Sequence, residues 1–482
     1  MKDALVALAT VVLAVIAGTG VGLRSVALLA LSLGCVFCGA LLAFGEGLCL
    51  AAVLLLTPAF SVTRRISAIG MTALDVLVGL LVVMLLYFCY QPTRARPRVR
   101  PTVADGVVAI FLVCVGFSLV VRGIDAASCR DFVRLTGFPI LMYAAGRVAF
   151  SGPHGRRWLW VAVVGALIAA TELWLEHMLD RPLFSVEGTY FSVWVVGGLR
   201  AGSMLQGPNT ASNYLAMCLA GAAVLMLRQM PGRRVAILAV GIIMSAWFTT
   251  KSISGGIEML AVFGVLGLAR GTRSVRVLVV MVMVILLVPG VRASIVAQPW
   301  YNEHDTSIQG RFDLLATARG AFQSISKDPT ELVEGIGYGR WVDLEGRFAV
   351  GAIANVGNPI SLHNTYLTIL FENGMIAAAC FVLLLVLSAG QGWLHRRDPV
   401  RLAGGVATVV FVLALGSGTL TVIPQVFGIA MFFLAAALTP NGALPDEASQ
   451  PTLVWTGSRA VGSQHVRGVV RGAPRLVDEP TV

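Results

Sequence analysis

What most constrains this chain is the recurrence of long apolar runs. They fall near 4–22, 25–44, 47–60, 71–90, 103–121, 134–148, 158–175, 210–227, 235–249, 256–269, 277–291, 366–389, 402–419 and 422–438. Crossing about 30 Å of hydrocarbon takes about 18–20 apolar residues as a helix. Helix is also the form that satisfies every backbone N–H and C=O inside one segment. Composition agrees: 57% of the residues are hydrophobic and 13% are charged, roughly half the charged share of a soluble protein. The mean hydropathy is +0.83. The expected fold class is therefore all-α and polytopic, with about 12–14 transmembrane helices over residues 1–440; the short third and sixth runs set the lower figure.

The net charge of +11 reads as topology, and nucleic acid is not an expected partner. QPTRARPRVR (91–100), GPHGRRW (152–158), RQMPGRR (228–234), RGTRSVR (270–276) and HRRDPVR (395–401) are short, arginine-rich and on alternate connections. By the positive-inside rule all five face the cytoplasm, as do both termini. Arg64 and Arg65 break the pattern by landing outside. The alternation sends two long connections outward, about 176–209 and about 292–362. The tail, 441–482, is rich in Gly, Pro, Ser and Arg without periodicity, and is expected to be a disordered cytoplasmic segment. MKDALVALATVVLAVIAGTG carries one lysine offset by an aspartate and runs straight into a second span, so an uncleaved first helix is expected. Cys35 and Cys38 form a lone C-x-x-C within an apolar run, which fits buried small side chains better than zinc or redox chemistry.

Candidate chemistry gathers on the outward connections. GRFDLLATARGAFQSISKDP (310–329) has helical spacing that puts Arg311, Leu315, Ala318, Phe322 and Ile325 on one stripe, with Asp328-Pro329 closing the element. Arg311 thus stands on the apolar side in the first turn, where the helix dipole disfavours a cation unless an anion meets it; an ion pair with Asp305 or Asp313 is the plainer alternative. EGIGYGR (334–340) carries Gly335, Gly337 and Gly339, which permit tight turns and close approach of backbone to a ligand. In SLHNTYLTILFENGMIAA (361–378), His363 and Asn364 stand before an apolar run that contains Tyr366 and Glu372. A histidine at an outward-facing helix N-terminus is held neutral by the dipole and can accept a proton from a hydroxyl; a structural histidine remains the competing reading. Glu372 lies about 13 Å further along by helical rise, a depth at which an ionisable group is a functional candidate or a packing partner. LRAGSMLQGPNTASNYL (199–215) adds Arg200 and Asn209, and FTTKSISGG (248–256) adds Lys251 on a very short connection, where it can also simply snorkel.

The order of these segments resembles the O-antigen ligase and O-antigen polymerase family of bacterial membrane glycosyltransferases. Arg200-Ala201-Gly202 and Gly207-Pro208-Asn209 come first, then Thr250-Lys251-Ser252 between two spans. Gly310-Arg311, Pro329 and the alternating glycines follow, and then His363-Asn364 leading to Glu372-Asn373-Gly374. The motifs cover about 200–390, with HNTYLTILFENG the most specific. The resemblance implies a GT-C-like helical fold with one large extracytoplasmic loop, in the bacterial inner membrane. It implies a glycan donor on polyprenyl pyrophosphate, a saccharide or lipid-core acceptor, no cofactor and no metal. By the same resemblance His363 is the catalytic base. Arg311, Arg200, Lys251, Asn209, Asn364, Tyr366, Glu372, Gly335, Gly337 and Gly339 bind substrate. One departure is local: relatives carry an arginine in the 248–256 segment where the nearest cation here is Lys251, a point charge without the bidentate fork. The competing class is a transporter or lipid-linked oligosaccharide flippase, which would place charges near mid-bilayer around a cavity. Asp75, Glu258 and Glu372 are the deeper charges here, and no internal repeat is visible.

Overall fold

The computed structural model describes residues 50–57 in part, 65–66, 71–90, 99–121, 126–152, 155–182, 185–207 in part, 208–227, 232–270, 313–350, 364–417 and 423–440. The expected spans at 4–22, 25–44 and 277–291, most of 47–60, the tail, Cys35, Cys38, Arg311 and His363 lie outside those residues. The described chain is helical apart from three short antiparallel ribbons: β1 (Arg65–Ile66) with β2 (Met71–Thr72), β3 (Ser185–Val186) with β4 (Thr189–Tyr190), and β5 (Val193–Val195) with β6 (Gly198–Arg200).

The helices follow the apolar runs. They are α1 (Ala73–Tyr90), α2 (Val103–Val121), α3 (Ala126–Asp131), α4 (Phe138–Ser151), α5 (Gly155–Met178), α6 (Pro208–Leu227), α7 (Arg233–Thr250) and α8 (Ile253–Arg270). Residues 313–325 form α9, followed by α10 (Pro329–Glu334), α11 (Trp341–Phe348), α12 (Thr365–Leu394), α13 (Pro399–Ser417) and α14 (Pro424–Leu438). A π-helical segment, Phe132–Gly137, joins α3 to α4. Among the described residues six helices are long and apolar enough to cross a membrane: α2, α5, α6, α7, α12 and α13. The chain is thus a multi-pass membrane protein by length and composition of its helices. On α2, Ile110, Val113, Phe117 and Val120 are exposed, the apolar outer face such a helix turns to lipid.

Local chemistry sets where helices begin. Asp105 accepts from the Thr102 N–H at 2.7 Å and from its hydroxyl at 3.0 Å, closing the first turn of α2. Asp398 accepts from the Val400 N–H at 2.9 Å, with Pro399 at the first helical position of α13. At the centre, α14 is buried on every side and packs against α4 and α13. It has 15 residues, about 22 Å by helical rise.

One difference from the sequence reading concerns α9. The buried stripe of α9 is Leu314, Ala318, Ala321 and Ile325, whereas Leu315 and Phe322 are exposed. The expected stripe shares Ala318 and Ile325 with the observed one but is turned from it by roughly 50°, about half of one residue's rotation. The GIGYG segment runs directly into a helix, α11. Asp328 also starts an element as well as ending one: its side chain accepts from the Thr330 and Glu331 N–H groups and caps α10. Helices α9 to α11 form a small second core, in which Ala318, Ala321, Ile325, Trp341 and Leu344 close over Phe371 of α12.

Candidate functional site

Helix α12 is two helices. Gly374 has φ +79° and ψ 175°, so the ladder breaks after residue 373. The remaining segment, 375–394, still covers about 30 Å. The glycine-rich loop is seated on this break. The Ile336 N–H donates to the Phe371 carbonyl at 2.8 Å, and the Gly337 N–H to the Glu372 carbonyl at 3.1 Å. Ser118 of α2 donates its hydroxyl to the same Glu372 carbonyl at 2.5 Å. The Phe371 and Glu372 carbonyls at the break thus take donors from the loop and the neighbouring helix. A Cβ at Gly335 (φ +80°) would run into the Glu372 carbonyl, and one at Gly374 into the Val333 carbonyl. Only glycine permits both the conformation and the approach.

The Glu372 carboxylate belongs to the same arrangement. Its Oε1 accepts from the Trp341 N–H at 3.3 Å, and the Gly339 N–H contributes a further backbone hydrogen bond. Trp341 stacks on Phe371 with centroids 5.3 Å apart. Sequence reasoning set Glu372 and Gly335, Gly337 and Gly339 beside each other only as members of one motif order; the structure joins them in one contact.

Tyr338, in the middle of that loop, reaches the π-helical segment. Its phenol lies 3.3 Å from Thr136 Oγ1 and donates to the Asp131 carbonyl at 3.4 Å, while its ring meets Phe132 edge-on at 5.9 Å. Burial pushes the Tyr338 phenol well above its ordinary range, so it stays a donor at physiological pH. Arg134, inside the π-helical segment, makes a two-pronged ion pair with Asp75 of α1 at 2.7 and 2.5 Å. Asp75 was visible in the sequence as a deep charge; Arg134 was hidden within an apolar run.

A second cluster forms where α5, α6, α7 and α8 end. The Ala201 N–H donates to the Thr249 carbonyl at 3.1 Å, which brings the backbone of β6, ending at Arg200, beside the Lys251 turn. The Gly202 N–H donates to Glu176 Oε2 at 3.2 Å from the end of α5. Asn209, exposed at the start of α6, accepts on Oδ1 from the Ser252 hydroxyl at 2.9 Å. Ser252 in turn accepts from the Gly255 N–H at 3.2 Å and so caps α8. Lys251 closes α7 in a left-handed conformation, φ 48° and ψ 36°. Arg200, Asn209 and Lys251, separate in sequence, thus share one end of the bundle.

Asn364 caps α12 through its Oδ1, which accepts from the Leu367 N–H at 3.1 Å. Tyr366 donates its hydroxyl to the Val412 carbonyl of α13 at 3.1 Å. Both are engaged in structure within one turn of the His363 position. Sequence reasoning missed Glu176, fully buried at the end of α5. Its signal was a charge in TELWLEHM, at the end of an apolar run. No known family model matches the chain, and no curated protein sequence matches it.

Proposed function

We propose that the protein is a glycosyltransferase of the O-antigen ligase or polymerase kind, moving a glycan from a polyprenyl-pyrophosphate carrier to an acceptor hydroxyl at the outer face of a bacterial inner membrane. The observation that supports this best is the seating of the Gly335–Gly339 loop on the Glu372–Gly374 break. Those two segments carry the most specific part of the resemblance, and they build one unit with the helix that Asn364 caps, next in sequence to His363. On this reading His363 takes the proton of the acceptor hydroxyl as its oxygen bonds to the anomeric carbon. The bond from that carbon to the pyrophosphate oxygen breaks, with inversion. The leaving pyrophosphate needs charge stabilisation rather than a proton; Arg311 and Arg200 supply it without a metal, and Lys251 grips the donor phosphates in ground and transition state alike.

One observation favours the flippase instead: Glu258 is a carboxylate 1% exposed inside the apolar stretch Ser254–Ala269, the placement expected of a transport site. A single assay separates the two. Purified wild type, His363→Ala and Arg311→Ala are given a lipid-linked oligosaccharide with EDTA present, and free polyprenyl pyrophosphate is measured. Turnover by wild type and loss of about 100-fold or more in His363→Ala are expected for removal of a general base. Full activity in His363→Ala ends its catalytic role, and release from no donor by wild type moves the assignment to lipid transport.

A further inference from the structure

We infer that Glu258 is a positioning residue for the Lys251 turn, acting through Asn213 and Asn209; the inference rests on the donor-site reading above. With its amide nitrogen facing the carboxylate, Asn213 lies 3.0 Å from both oxygens of Glu258 and donates to the Asn209 carbonyl at 2.8 Å. The Ser212 hydroxyl donates to that carbonyl at 2.8 Å as well. Asn209 then holds Ser252 by the 2.9 Å bond from its hydroxyl, and Ser252 is the neighbour of Lys251. A hydrogen-bonded path therefore runs from a carboxylate buried in α8, across the first turn of α6, back to the turn between α7 and α8.

The backbone at Lys251 explains what the path is for. A left-handed lysine lacks the freedom that glycine has there, and such a conformation persists only where its surroundings over-determine it. Here the turn is pinned on both sides. The Lys251 N–H donates to the Phe248 carbonyl at 3.2 Å, and Trp247 Nε1 donates to the Ser252 carbonyl at 3.1 Å. Packing leaves no slack: a Cβ on Gly255 would strike the Ser212 side chain. Glu258, 1% exposed, is the buried carboxyl group of this network, and it reaches Asn209 through Asn213. Its work is to fix where the Lys251 ammonium stands relative to the donor phosphates.

The test uses full-length protein in lipid nanodiscs, with Glu258→Leu, Glu258→Gln, Lys251→Ala and the Glu258→Leu/Lys251→Ala double variant. Amide exchange is read first, without substrate. Glu258→Leu should speed exchange at Gly255, whose N–H caps onto Ser252, about tenfold or more, as leaving the buried Asn213 amide without its acceptor implies. Turnover is read second. Glu258→Leu should raise the donor KM about tenfold or more with kcat within about twofold, the pattern of lost ground-state binding. Glu258→Gln, which keeps one acceptor for Asn213, should recover most of that KM. In the Lys251→Ala background, Glu258→Leu should cost about threefold or less, since coupled residues are not additive. A protein merely destabilised would lose kcat through its active fraction and leave KM alone. Unchanged exchange at Gly255, unchanged KM, or full additivity with Lys251→Ala each overturn the inference while wild type still turns over. A wild type that releases no polyprenyl pyrophosphate overturns the donor-site reading itself, and Glu258 then keeps only the mechanical role that the exchange rates report.

Discussion

Gly374 and Gly335 face each other across the break in α12, each with φ near +80° and each where a Cβ would meet a carbonyl of the other's segment. Gly374→Ala should therefore cost about 2–4 kcal/mol, combining the strain of a left-handed non-glycine residue with overpacking. Thermal unfolding in detergent should show a Tm well below wild type. Gly79→Ala is the contrast, because no atom lies within 4 Å of the added methyl and alanine is the better helix former; its Tm should be unchanged or higher. A Gly374→Ala protein as stable as wild type would mean that loop and helix can part without loss. The alternating glycines were legible in the sequence because glycine marks conformational need even when its partner is unknown. Which partner they met was not legible, since Gly335 and Glu372 are distant in the chain and no local pattern couples them. Glu176 and Glu258 escaped assignment for a similar reason. A lone acid in an apolar run does not show whether a backbone N–H or an amide is waiting for it.

Among the described residues, helix positions were legible from the apolar runs; the run expected at 103–121 is observed over the same residues, Val103–Val121. Faces were less so. The stripe of α9 was misassigned because Leu315 and Phe322 are large and apolar while Ala321 is small. Its true partners, Trp341, Leu344 and Phe371, come from later in the chain and select the small residues. The same applies to α13, where adjacent glycines serve opposite neighbours. Gly404 lies against the Ala437 and Phe433 backbone of α14, and Gly405 against Gly392 of α12. With lipid on the outside there is little hydrophobic gain in bringing helices together, so close backbone approach is what holds them. Gly405→Val should push α12 from α13 and cost about 1–3 kcal/mol. It would also weaken the buried Ser388–Thr408 hydrogen bond, 2.7 Å in the wild type. A lowered Tm together with faster unfolding in denaturing detergent would report it. Wild-type stability in that variant would show that the two helices have room to spare.

The bundle has two chemically distinct ends. At one, two arginines of α4 and α13 reach the C-terminal end of α14. Arg147, 3% exposed, pairs with Asp105 at 3.0 Å and donates to the Leu438 carbonyl at 2.8 Å, and Arg401 donates to the Thr439 carbonyl at 3.0 Å. Cations thus meet the carbonyl end of α14, where the dipole favours them. At the other end lie the glycine loop, the Tyr338 contact and the Asn209–Lys251 cluster. The span of α12 separates Ser326, in the turn after α9, from Arg397, in the turn before α13; both are exposed. The proposed chemistry requires Ser326 to face outward, because the lipid-linked donor is used there, and the positive-inside rule requires Arg397 to face the cytoplasm. Single cysteines at these positions, on a background without other accessible thiols, can be probed with a membrane-impermeant maleimide. Ser326→Cys should label in intact spheroplasts and Arg397→Cys only after permeabilisation. Labelling of both in intact cells would deny α12 a single crossing. The reverse pattern would keep the fold but turn the candidate site to the cytoplasm, where a transferase must draw on a donor that has not yet been flipped, and the proposed function would fall with it.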